Sequence, residues 1–444
     1  MNIEELSRIL RESGVVGAGG AGFPTYAKLS EKADTILMNC AECEPLLKLH
    51  RQLLSEHTQE ILQAFALIAE TVGANEAIIG IKREYTGTIC AIKEYIHMFP
   101  GMRIHELPGA YPMGDEVVLI YETTGKTVRP GGLPIEQGVA VFNVETLYNV
   151  YRAVWEQQGV AAKYVSVVGE VEHPLTVRVP VGLPVAEVTA MAGRVTAADS
   201  VYLLGGPMMG NFGMPGQPVT RTTNAIIVLD RQHPLVLKKQ SRFTTDVARA
   251  ASVCCQCRTC TDLCPRHNLG HPIRPHLFMR ASANRDFRDL DPFLDTMFCS
   301  SCGLCEMYSC PQGLKPRSMI AAYKNGLREE GIRPPERTAK PVRESREYRR
   351  VPENRLLGRL GLEKYDVEAP LDDRVRAGQR VKLLLSQHIG APAKAVVAVG
   401  DSVAAGQVVA AAANGLSVNI HSSIAGEVVE VTERYIAIEA ADAG

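Results

Sequence analysis

Apolar residues in the first third of the chain alternate between helical and strand spacing. Ile3, Leu6, Ile9 and Leu10 recur three or four positions apart, which predicts a short amphipathic helix before a glycine-rich loop. Beyond the loop the pattern predicts a strand at 34–38, a helix at 53–72, a strand at 77–82 and a helix at 86–98. Alternation of this kind is typical of an α/β layer on a parallel sheet.

The pattern changes near residue 164 to short β-rich segments, and then to helical spacing around cysteines. Gly and Pro separate apolar runs at 164–171, 175–180, 201–204 and 225–229, which predict a small β-rich module ending near Arg231. Helical periodicity at 246–251 and 316–327 then surrounds two runs of cysteine. We therefore expect an α/β domain over 1–160, a β module over 161–235 and a helical domain over 240–328.

The last part of the chain predicts a connector and a second β module. Residues 329–375 are rich in charge and Pro and have little apolar periodicity, which predicts an extended linker over the surface. Residues 376–444 are rich in Val, Ala and Gly, with strands expected at 395–399, 407–411 and 427–431. A compact β-sandwich or barrel fits this last pattern.

Composition excludes several classes of function. The chain has 48 Lys and Arg against 49 Asp and Glu, so its net charge of −1 provides no basic field for nucleic acid or an anionic membrane. Hydrophobic residues at 46% and charged residues at 22% argue against disorder and against a multi-span membrane protein. The first residues lack the basic segment and apolar core of a secretory signal, so we expect a cytoplasmic protein with reduced thiols and no direct membrane insertion.

Eight of the 12 cysteines fall in two runs with the spacing of cluster ligands. The runs are Cys254-x2-Cys257-x2-Cys260-x3-Cys264-Pro265 and Cys299-x2-Cys302-x2-Cys305-x4-Cys310-Pro311. Three thiolates spaced in this way can surround three corners of a [4Fe–4S] cubane, and the Cys-Pro thiolate reaches the other cluster in two-cluster proteins. The predicted ligand sets are Cys254, Cys257, Cys260 and Cys310 for one cluster, and Cys299, Cys302, Cys305 and Cys264 for the other.

Two features leave part of this assignment open. Cys310 comes one residue later than the bacterial ferredoxin spacing, so the fourth ligand of each cluster is less firmly assigned than the other three. Zinc is the alternative metal, but it needs only two Cys-x2-Cys pairs. Of the remaining cysteines, Cys255 is interpreted as a buried or spare thiol and Cys90 as a core residue on the helix predicted at 86–98.

The glycine-rich loop, Gly17-Ala18-Gly19-Gly20-Ala21-Gly22, satisfies the pattern G-x-G-x-x-G. An ordinary Rossmann site has a strand before this loop and a helix after it, whereas here a helix precedes it and Phe23-Pro24-Thr25 follows. The loop still offers backbone N–H groups to a phosphate, with Lys28 as the counter-charge. From these residues alone, a purely structural loop remains the alternative.

Four motifs in one order resemble the flavin segments of two related families, the NADH-binding flavoprotein subunit of respiratory complex I and the C subunit of the Rnf electron-transport complex. The motifs are the glycine loop through Lys28, Asn39-Cys40-Ala41-Glu42-Cys43-Glu44-Pro45, Tyr111-Pro112-Met113-Gly114-Asp115-Glu116 and Phe142-Asn143-Val144-Glu145-Thr146. The resemblance implies that FMN is lined by Gly17, Gly19, Lys28, Asn39, Glu42, Tyr111, Gly114, Glu116, Asn143 and Thr146. It also implies that Phe23, Glu44 and Glu116 lie near the nicotinamide nucleotide of NADH, and that Cys40 and Cys43 lie near the flavin.

The rest of the chain resembles the Rnf protein in a permuted order. Gly205-Gly206-Pro207-Met208-Met209-Gly210 is similar to its soluble-ligand-binding β-grasp, and the segments from Gln387 and from His421 are similar to its barrel-sandwich domain. That domain is amino-terminal in the Rnf protein but carboxyl-terminal here. The implied fold is an α/β flavin-binding domain, a β-grasp module, an α-helical two-cluster ferredoxin-like domain, a linker and a C-terminal β barrel-sandwich hybrid, with the boundaries given above.

This permuted order resembles the cobalamin reductase family of propanediol-utilisation bacterial microcompartments over essentially the whole chain. The resemblance implies an NADH-dependent reductase that passes single electrons from FMN through two [4Fe–4S] clusters to cobalamin, for reactivation of a cobalamin-dependent diol dehydratase. It also implies an adenosyltransferase and shell proteins as partners, in a microcompartment of the cytoplasm. Two alternatives remain open: an Rnf-type subunit between NADH and ferredoxin, and a non-catalytic electron-wiring protein of a microcompartment.

Overall fold

The computed structural model describes residues 1–376 and 378–440, and its first domain is built on a parallel sheet. Four strands lie in the order β3-β2-β1-β5, and every pairing among them is parallel. The elements of the domain are α1 Ile3–Glu12, β1 Thr35–Cys40, α2 Leu49–Glu56, α3 Thr58–Val72, β2 Glu76–Lys82, α4 Thr86–Tyr95, β3 Met102–Leu107, β4 Ala110–Tyr111, α5 Glu116–Thr124, β5 Val139–Asn143 and α6 Val144–Trp155. The α/β layer agrees with the apolar pattern.

Helices cover both faces of this sheet. Successive strand residues point to opposite sides, so Ile36 and Met38 pack in the hydrophobic cluster that contains α3, while Leu37 packs in the cluster that contains α5. Strands buried on both faces need apolar residues at consecutive positions, which explains the continuous apolar runs of the sequence.

The prediction of one helix over 53–72 is wrong. The helix starts earlier because the carboxylate of Glu42 accepts a hydrogen bond of 2.9 Å from the amide of His50 in the first turn of α2. The chain then leaves helical geometry at His57, whose ring stacks on Tyr148 with a centroid distance of 4.3 Å. These partners are distant in sequence, so apolar periodicity contains no sign of the break.

The second module is a six-stranded mixed sheet in the order β12-β7-β6-β10-β8-β9. Its elements are β6 Ala162–Gly169, β7 Leu175–Pro180, α7 Val185–Ala190, β8 Ser200–Leu204, β9 Asn211–Gly213 and β10 Ala225–Asp230. The edge strand β12 Leu371–Val375 arrives from beyond the helical domain and pairs in parallel with β7. The module therefore takes one strand from outside the predicted range 161–235.

The cysteine region folds as short helices around an aromatic core. Its helices are α8 Pro234–Lys239, α9 Phe243–Val253, α10 Thr259–Asp262, α11 Pro265–Asn268, α12 Pro275–Asn284, α13 Asp291–Leu294, α14 Leu304–Met307 and α15 Pro316–Glu329. Phe278 lies edge-on to Tyr323 with a centroid distance of 5.2 Å, and Phe293 lies 5.3 Å from the same ring. Cys310 belongs to this core, and the first cysteine of each run, Cys254 and Cys299, packs against it.

The prediction of an extended linker over 329–375 is wrong for the second half of that segment. It contains β11 Val351–Pro352, α16 Glu353–Leu360 and β12, and β11 pairs with β4 of the first domain. Leu356, Leu357 and Leu360 of α16 are buried. A helix of two turns gives too few apolar repeats to stand out in a charged sequence.

The C-terminal module consists of two small sheets, in the orders β13-β19-β18-β15 and β14-β16-β17. Its strands are β13 Arg380–Leu384, β14 Lys394–Ala395, β15 Ser402–Val403, β16 Val408–Ala411, β17 Ile420–His421, β18 Gly426–Val431 and β19 Tyr435–Ala440. The strand expected at 395–399 is present only at its first residue. Core residues of this module and of the second module form one hydrophobic cluster, so the two pack as a unit.

Candidate functional site

A cleft of about 420 Å³ opens where the parallel strands end. β1 ends at Cys40 and β5 at Asn143, and the residues that follow them line the cleft together with the glycine loop. Ligands of open α/β sheets bind at this edge of the sheet, and the volume lies in the range of small-molecule sites. The cleft is therefore the candidate flavin site.

The structure brings eleven of the twelve predicted flavin and nucleotide residues to this cleft. They are Gly17, Gly19, Phe23, Lys28, Asn39, Glu42, Glu44, Tyr111, Gly114, Glu116 and Asn143. The expectation that Thr146 also lines it is wrong, because Thr146 lies behind the loop, where its hydroxyl accepts a hydrogen bond of 3.0 Å from the amide of Ala18. Thr146, in the first turn of α6, thus holds the glycine loop in place on the side away from the cleft.

Two glycines of the loop lie where an added Cβ would make tight contacts. A Cβ on Gly19 would lie 3.1 Å from Nδ2 of Asn143. Gly22 has φ +70°, and a Cβ there would lie 3.0 Å from the carbonyl oxygen of Gln387 in the C-terminal module. The loop is consequently confined between the flavin domain and the C-terminal module.

Asn39 and Asn143 are held by hydrogen bonds at the strand ends. The amide of Asn39 donates to the carbonyl oxygen of Gly114 at 2.9 Å, which links the second and third flavin motifs. Asn143 caps α6 through its side-chain oxygen and donates at 3.1 Å to Nε2 of His50. Burial lowers the pKa of His50 to about 4, so its ring is neutral and can accept this bond. Sequence reasoning missed His50, which belongs to none of the motifs.

Glu42 and Glu44 have different surroundings. Glu42 is buried and faces the start of α2, and burial raises the pKa of its carboxyl group. Glu44 reaches the second module, where its carboxylate accepts hydrogen bonds of 2.7 Å from the amides of Met208 and Met209. Glu44 therefore anchors the β-grasp loop at the edge of the cleft, and both of its oxygens have partners in the protein.

Lys28 is the cation that reaches the cleft from beside the glycine loop. Its ammonium group donates at 2.9 Å to the carbonyl oxygen of Val141 and lies 3.5 Å from the carboxylate of Glu116. The ammonium group is thus fixed against the backbone of β5 and lies near the carboxylate of Glu116. This position is compatible with a role in binding a phosphate near the loop.

The first group of four predicted cluster ligands lines one cavity. Cys254, Cys257, Cys260 and Cys310 meet there, with His276 and Met279 among the neighbours. Burial, with smaller contributions from the charges of Cys310, Cys254 and Cys257, raises the pKa of Cys260 to about 12. Four sulfur donors around one cavity are the donor set of a [4Fe–4S] cluster, whose iron must displace these thiol protons on binding.

The second predicted set lines a neighbouring cavity. Its ligands, Cys264, Cys299, Cys302 and Cys305, come from both runs. Burial raises the pKa of Cys264 to about 12, and the charge of Cys299 acts in the same direction. The extra residue before Cys310 therefore does not prevent each run from giving its last cysteine to the other run's cavity.

The flavin cleft and the second cavity share Cys302. The hydroxyl of Tyr111, which also lines the cleft, donates to the carbonyl oxygen of Cys302 at 2.5 Å. Nearby, Arg266 donates at 2.9 Å to Asp115, the residue that caps α5. These contacts fix the helical domain against the flavin domain, with the second cavity on the flavin side.

The remaining cysteines have varied surroundings. Cys43 lines the cleft and accepts a hydrogen bond of 2.8 Å from the amide of Gly114, and Cys40 is buried beneath it in the sheet. Cys255 is exposed beside the first cavity. The interpretation of Cys90 as a core residue is wrong, since it lies on the exposed side of α4. Within the described residues, no three His, Cys, Asp or Glu side chains converge as ligands of a single metal ion.

Family models match four parts of the chain. Residues 10–152 match the Nuo51 FMN-binding domain, 164–212 the SLBB domain, 253–315 a 4Fe-4S dicluster domain and 368–443 the RnfC barrel sandwich hybrid domain. The order of domains implied by the resemblance is confirmed. FMN and two [4Fe–4S] clusters are the cofactors of this chain, as predicted, and zinc is set aside.

Curated proteins extend the likeness over the full length. The chain is 40% identical over 440 residues to the cobalamin reductase PduS of Salmonella typhimurium, covering 99% of this chain and 97% of that protein. It is 40% identical over 431 residues to the cobalamin reductase PduS of Citrobacter freundii, covering 97% and 95%. It is 32% identical over 267 residues to the C subunit of the ion-translocating oxidoreductase complex of Erwinia tasmaniensis, covering 59% of this chain and 32% of that protein.

A solved structure shares the fold. An NAD+-reducing [NiFe]-hydrogenase in the H2-reduced state superposes with a TM-score of 0.50 and 24% identity, over 76% of this chain and 63% of that one. This likeness concerns the arrangement of the chain alone. In the part of the chain that the structure describes, no helix has the length and apolar character needed to cross a membrane.

Proposed function

The chain belongs to the cobalamin reductase PduS family, and from this premise we propose that it is an NADH-dependent reductase that delivers single electrons to cobalamin. The observation that supports the proposal best is the sharing of Cys302 between the flavin cleft and the second cysteine cavity. A flavin in the cleft would border one cluster directly. NADH gives two electrons at once, whereas the cobalt of cobalamin accepts one at a time. A flavin beside a cluster can accept the pair and pass the electrons on singly.

The proposed flavin site uses the cleft residues in distinct roles. The backbone N–H of Gly19, with Lys28, binds the flavin phosphate, while Gly17 holds the loop closed by donating its N–H to the carbonyl oxygen of Phe23 at 2.9 Å. Asn39 and Asn143 bind polar edges of the flavin. Phe23 and Glu116 line the side where the nicotinamide would enter. When bound, FMN supplies the capacity to accept a hydride and release its two electrons one at a time.

The proposed cluster ligands are Cys264, Cys299, Cys302 and Cys305 next to the cleft, and Cys254, Cys257, Cys260 and Cys310 farther out. The two cavities adjoin, since α10, which contains Cys260, contacts α14, which contains Cys305. The order of electron transfer that follows is cleft, second cavity, first cavity and then acceptor. The charged neighbours Arg266 and Asp115 are paired with each other, so their charges balance at the boundary between cleft and cluster.

The proposed cellular context follows from the family. Reduced cobalamin would be passed to an adenosyltransferase and would reactivate a cobalamin-dependent diol dehydratase, within a propanediol-utilisation microcompartment of the cytoplasm. Shell proteins of that compartment are proposed partners. The net charge of −1 gives the chain no basic field for an anionic surface. We therefore propose that its association with the compartment depends on contacts with those proteins.

The test is a set of measurements on anaerobically purified protein. FMN and iron are quantified, and NADH-dependent reduction of cob(III)alamin is then followed for the wild type and for Cys257→Ala. We expect rapid turnover by the wild type, and loss of one cluster together with most of the cobalamin activity in the variant. Cys90→Ala, which removes an exposed thiol of the first domain, is the matched control.

The alternatives give other results in the same experiment. Reduction of ferredoxin but not of cobalamin would support an Rnf-type subunit in its place. Bound clusters without any oxidation of NADH would support a non-catalytic electron-wiring protein. A Cys257→Ala variant that keeps both clusters would overturn the ligand assignment.

A further inference from the structure

One side chain of the second module lines the flavin cleft without a partner in the protein. Asn224 directly precedes β10, and its side-chain amide forms part of the cleft wall. Within residues 1–376 and 378–440 this amide makes no hydrogen bond, and its oxygen is buried. Polar groups of a native protein that have no protein partner call for another one, and at the wall of a cleft that partner is a ligand.

Two amide groups from different modules converge on Gly19 of the glycine loop. A Cβ on Gly19 would lie 3.1 Å from Nδ2 of Asn143 and 3.8 Å from Nδ2 of Asn224. Asn143 belongs to the first module and already uses one N–H at His50. Asn224 therefore supplies the nitrogen beside Gly19 that is free to donate to a ligand.

The glycine loop adds backbone donors at the same place. Gly17 and Ala18 use their N–H groups to hold the loop itself, the first within the loop and the second on α6. In the part of the chain that the structure describes, the N–H groups of Gly19 and Ala21 have no acceptor, and both residues line the cleft. Free backbone N–H groups of a turn, together with a side-chain donor, are the components of an anion site.

The backbone holds Asn224 in this position. Its carbonyl oxygen accepts a hydrogen bond of 3.0 Å from the amide of Ser166 in β6. In the turn before it, the hydroxyl of Thr220 lies 3.1 Å from the hydroxyls of Thr222 and Thr223. A donor that is already fixed loses little freedom on binding, which favours affinity. We call residues 220–224 the threonine turn.

The threonine turn contacts the chain on both sides of the glycine loop. Arg221, which is buried, donates at 3.0 Å to the carbonyl oxygen of Gly14, ahead of the loop. At the other end, the methyl group of Thr222 lies 3.0 Å from the position of a Cβ on Gly22. These contacts fix the distance between the loop amides and Asn224, although the two belong to different modules.

The charges that line the cleft make such neutral donors necessary for a phosphate. Lys28 lies 3.5 Å from the carboxylate of Glu116, which offsets part of its positive charge. The other three carboxylates of the cleft, Glu42, Glu44 and Asp115, are held by amides of α2, by amides of the β-grasp loop and by an arginine of the helical domain. A phosphate in the cleft therefore depends on hydrogen-bond donors in addition to Lys28.

We propose that Asn224 binds the phosphate of FMN, donating from Nδ2 beside the N–H groups of Gly19 and Ala21, and that it thereby selects FMN over riboflavin. The proposal rests on the flavin site described above. Phosphate oxygens accept hydrogen bonds, so a free amide nitrogen complements them, whereas a carboxylate at the same position would repel them. The second module then completes a site whose other residues come from the first.

The test compares two flavins that differ only in the phosphate. The full chain with its clusters is freed of flavin and titrated with FMN and with riboflavin, using flavin fluorescence. We expect Asn224→Ala to weaken FMN binding about tenfold and riboflavin binding less than about twofold, since one hydrogen bond to a charged group is lost. Asn224→Asp should weaken FMN binding further. Asn211→Asp, at an exposed position of β9 in the same module, makes the same change away from the cleft and should alter neither affinity.

A second variant and a second measurement separate the possible failures. Neither NADH nor cobalamin is present, so the result does not depend on the proposed reaction. If Lys28→Met weakens FMN binding and Asn224→Ala does not, the role of Asn224 is wrong and the flavin site stands; if neither does, the site itself is wrong. Equal loss of both flavins in Asn224→Ala would overturn phosphate recognition. If Asn224→Asp does not fold, Asn224→Ala decides, and the phosphorus NMR signal of its bound FMN should shift from the wild-type position.

Discussion

The hydroxyl of Tyr111 donates a hydrogen bond of 2.5 Å to the carbonyl oxygen of Cys302. Tyr111 ends β4 in the flavin domain, and Cys302 lies in the middle of the second cysteine run. Both residues line the flavin cleft, so this bond closes the boundary between the two cofactor sites. Together with the pair formed by Arg266 and Asp115, this bond fixes the helical domain against the flavin domain at the boundary between the two sites.

Replacing Tyr111 by Phe tests this contact. A neutral hydrogen bond contributes about 1 kcal/mol, and its loss leaves the Cys302 carbonyl without this donor. We expect cluster reduction after mixing with NADH to slow more than flavin reduction, as measured by stopped-flow absorbance under nitrogen. Tyr365→Phe removes a hydroxyl bonded to Glu170, away from the cleft, and should leave the ratio of the two rates unchanged. Equal slowing by both variants would contradict the prediction.

Two cysteines of the cleft should differ in their effect on iron. Cys302→Ala should remove one cluster and about half of the iron, because it removes one of four sulfur donors. Cys43→Ala should retain all of the iron, since Cys43 accepts its hydrogen bond from Gly114 and lines only the cleft. Iron analysis and EPR spectra of the reduced proteins distinguish the two. Loss of iron in Cys43→Ala would contradict the prediction and would show that Cys43 contributes to a cluster site.

Gly22→Ala should weaken FMN binding and stability together. The substitution combines a positive φ of +70° with a contact of 3.0 Å to Gln387, so we expect a cost of about 1–3 kcal/mol. Gly20→Ala is the matched control, because Gly20 has φ +89° but no atom within 4 Å of the added Cβ. FMN affinity is measured by fluorescence. If Gly20→Ala loses as much affinity as Gly22→Ala, the C-terminal module does not confine the loop.

Acid should destabilise the protein through buried histidines. Burial, with a smaller effect of Arg221, lowers the pKa of His421 to about 4, below its unfolded value of 6.5. Because the folded pKa is the lower one, this stabilisation is present above pH 6.5 and is lost as the pH falls towards 4. His421→Gln should make the unfolding free energy less dependent on pH in that window, by up to about 3 kcal/mol. Urea titrations at several pH values check this, and an unchanged slope would refute it.

Arg221 should be needed to hold three domains together. Its guanidinium is buried and donates 3.0 Å hydrogen bonds to the carbonyl oxygens of Gly14 and Asn419, in the first domain and the C-terminal module. Arg221→Met should lower the unfolding free energy by about 3 kcal/mol, since hydrogen bonds to charged groups contribute about 1.5–3 kcal/mol each. Calorimetry measures the loss. Arg231→Met, at an exposed ion pair with Asp199, should cost much less.

The cofactor chemistry could be predicted from sequence because its ligands are local. Three cysteines separated by two residues can bind three corners of one cluster. The spacing of Cys254, Cys257 and Cys260 therefore indicates cluster ligands before the fold is known. The flavin motifs are similarly short and keep their order along the chain. The comparisons confirm the cofactors and the order of domains, while the roles of individual residues remain predictions.

The fold elements that could not be predicted depend on distant partners. The break at His57, the helix α16 and the edge strand β12 are each set by contacts with segments far along the chain. Their local sequence is either helical throughout or too short to show a period. The packing energy that stabilises such an element is gained only when both segments are in contact. The sequence of one segment alone therefore does not predict its conformation.

The sequence by itself determined the cluster cofactors, since cysteine spacing is a property of short segments, and it indicated FMN through four ordered motifs that resemble known flavin segments. Only the tertiary structure decided how those sites are connected. It placed Cys302 at the wall of the flavin cleft, gave both oxygens of Glu44 to the β-grasp loop and left Cys257 exposed at the surface. The proposed order of electron transfer depends on these contacts and exposures, which exist only once the domains have packed.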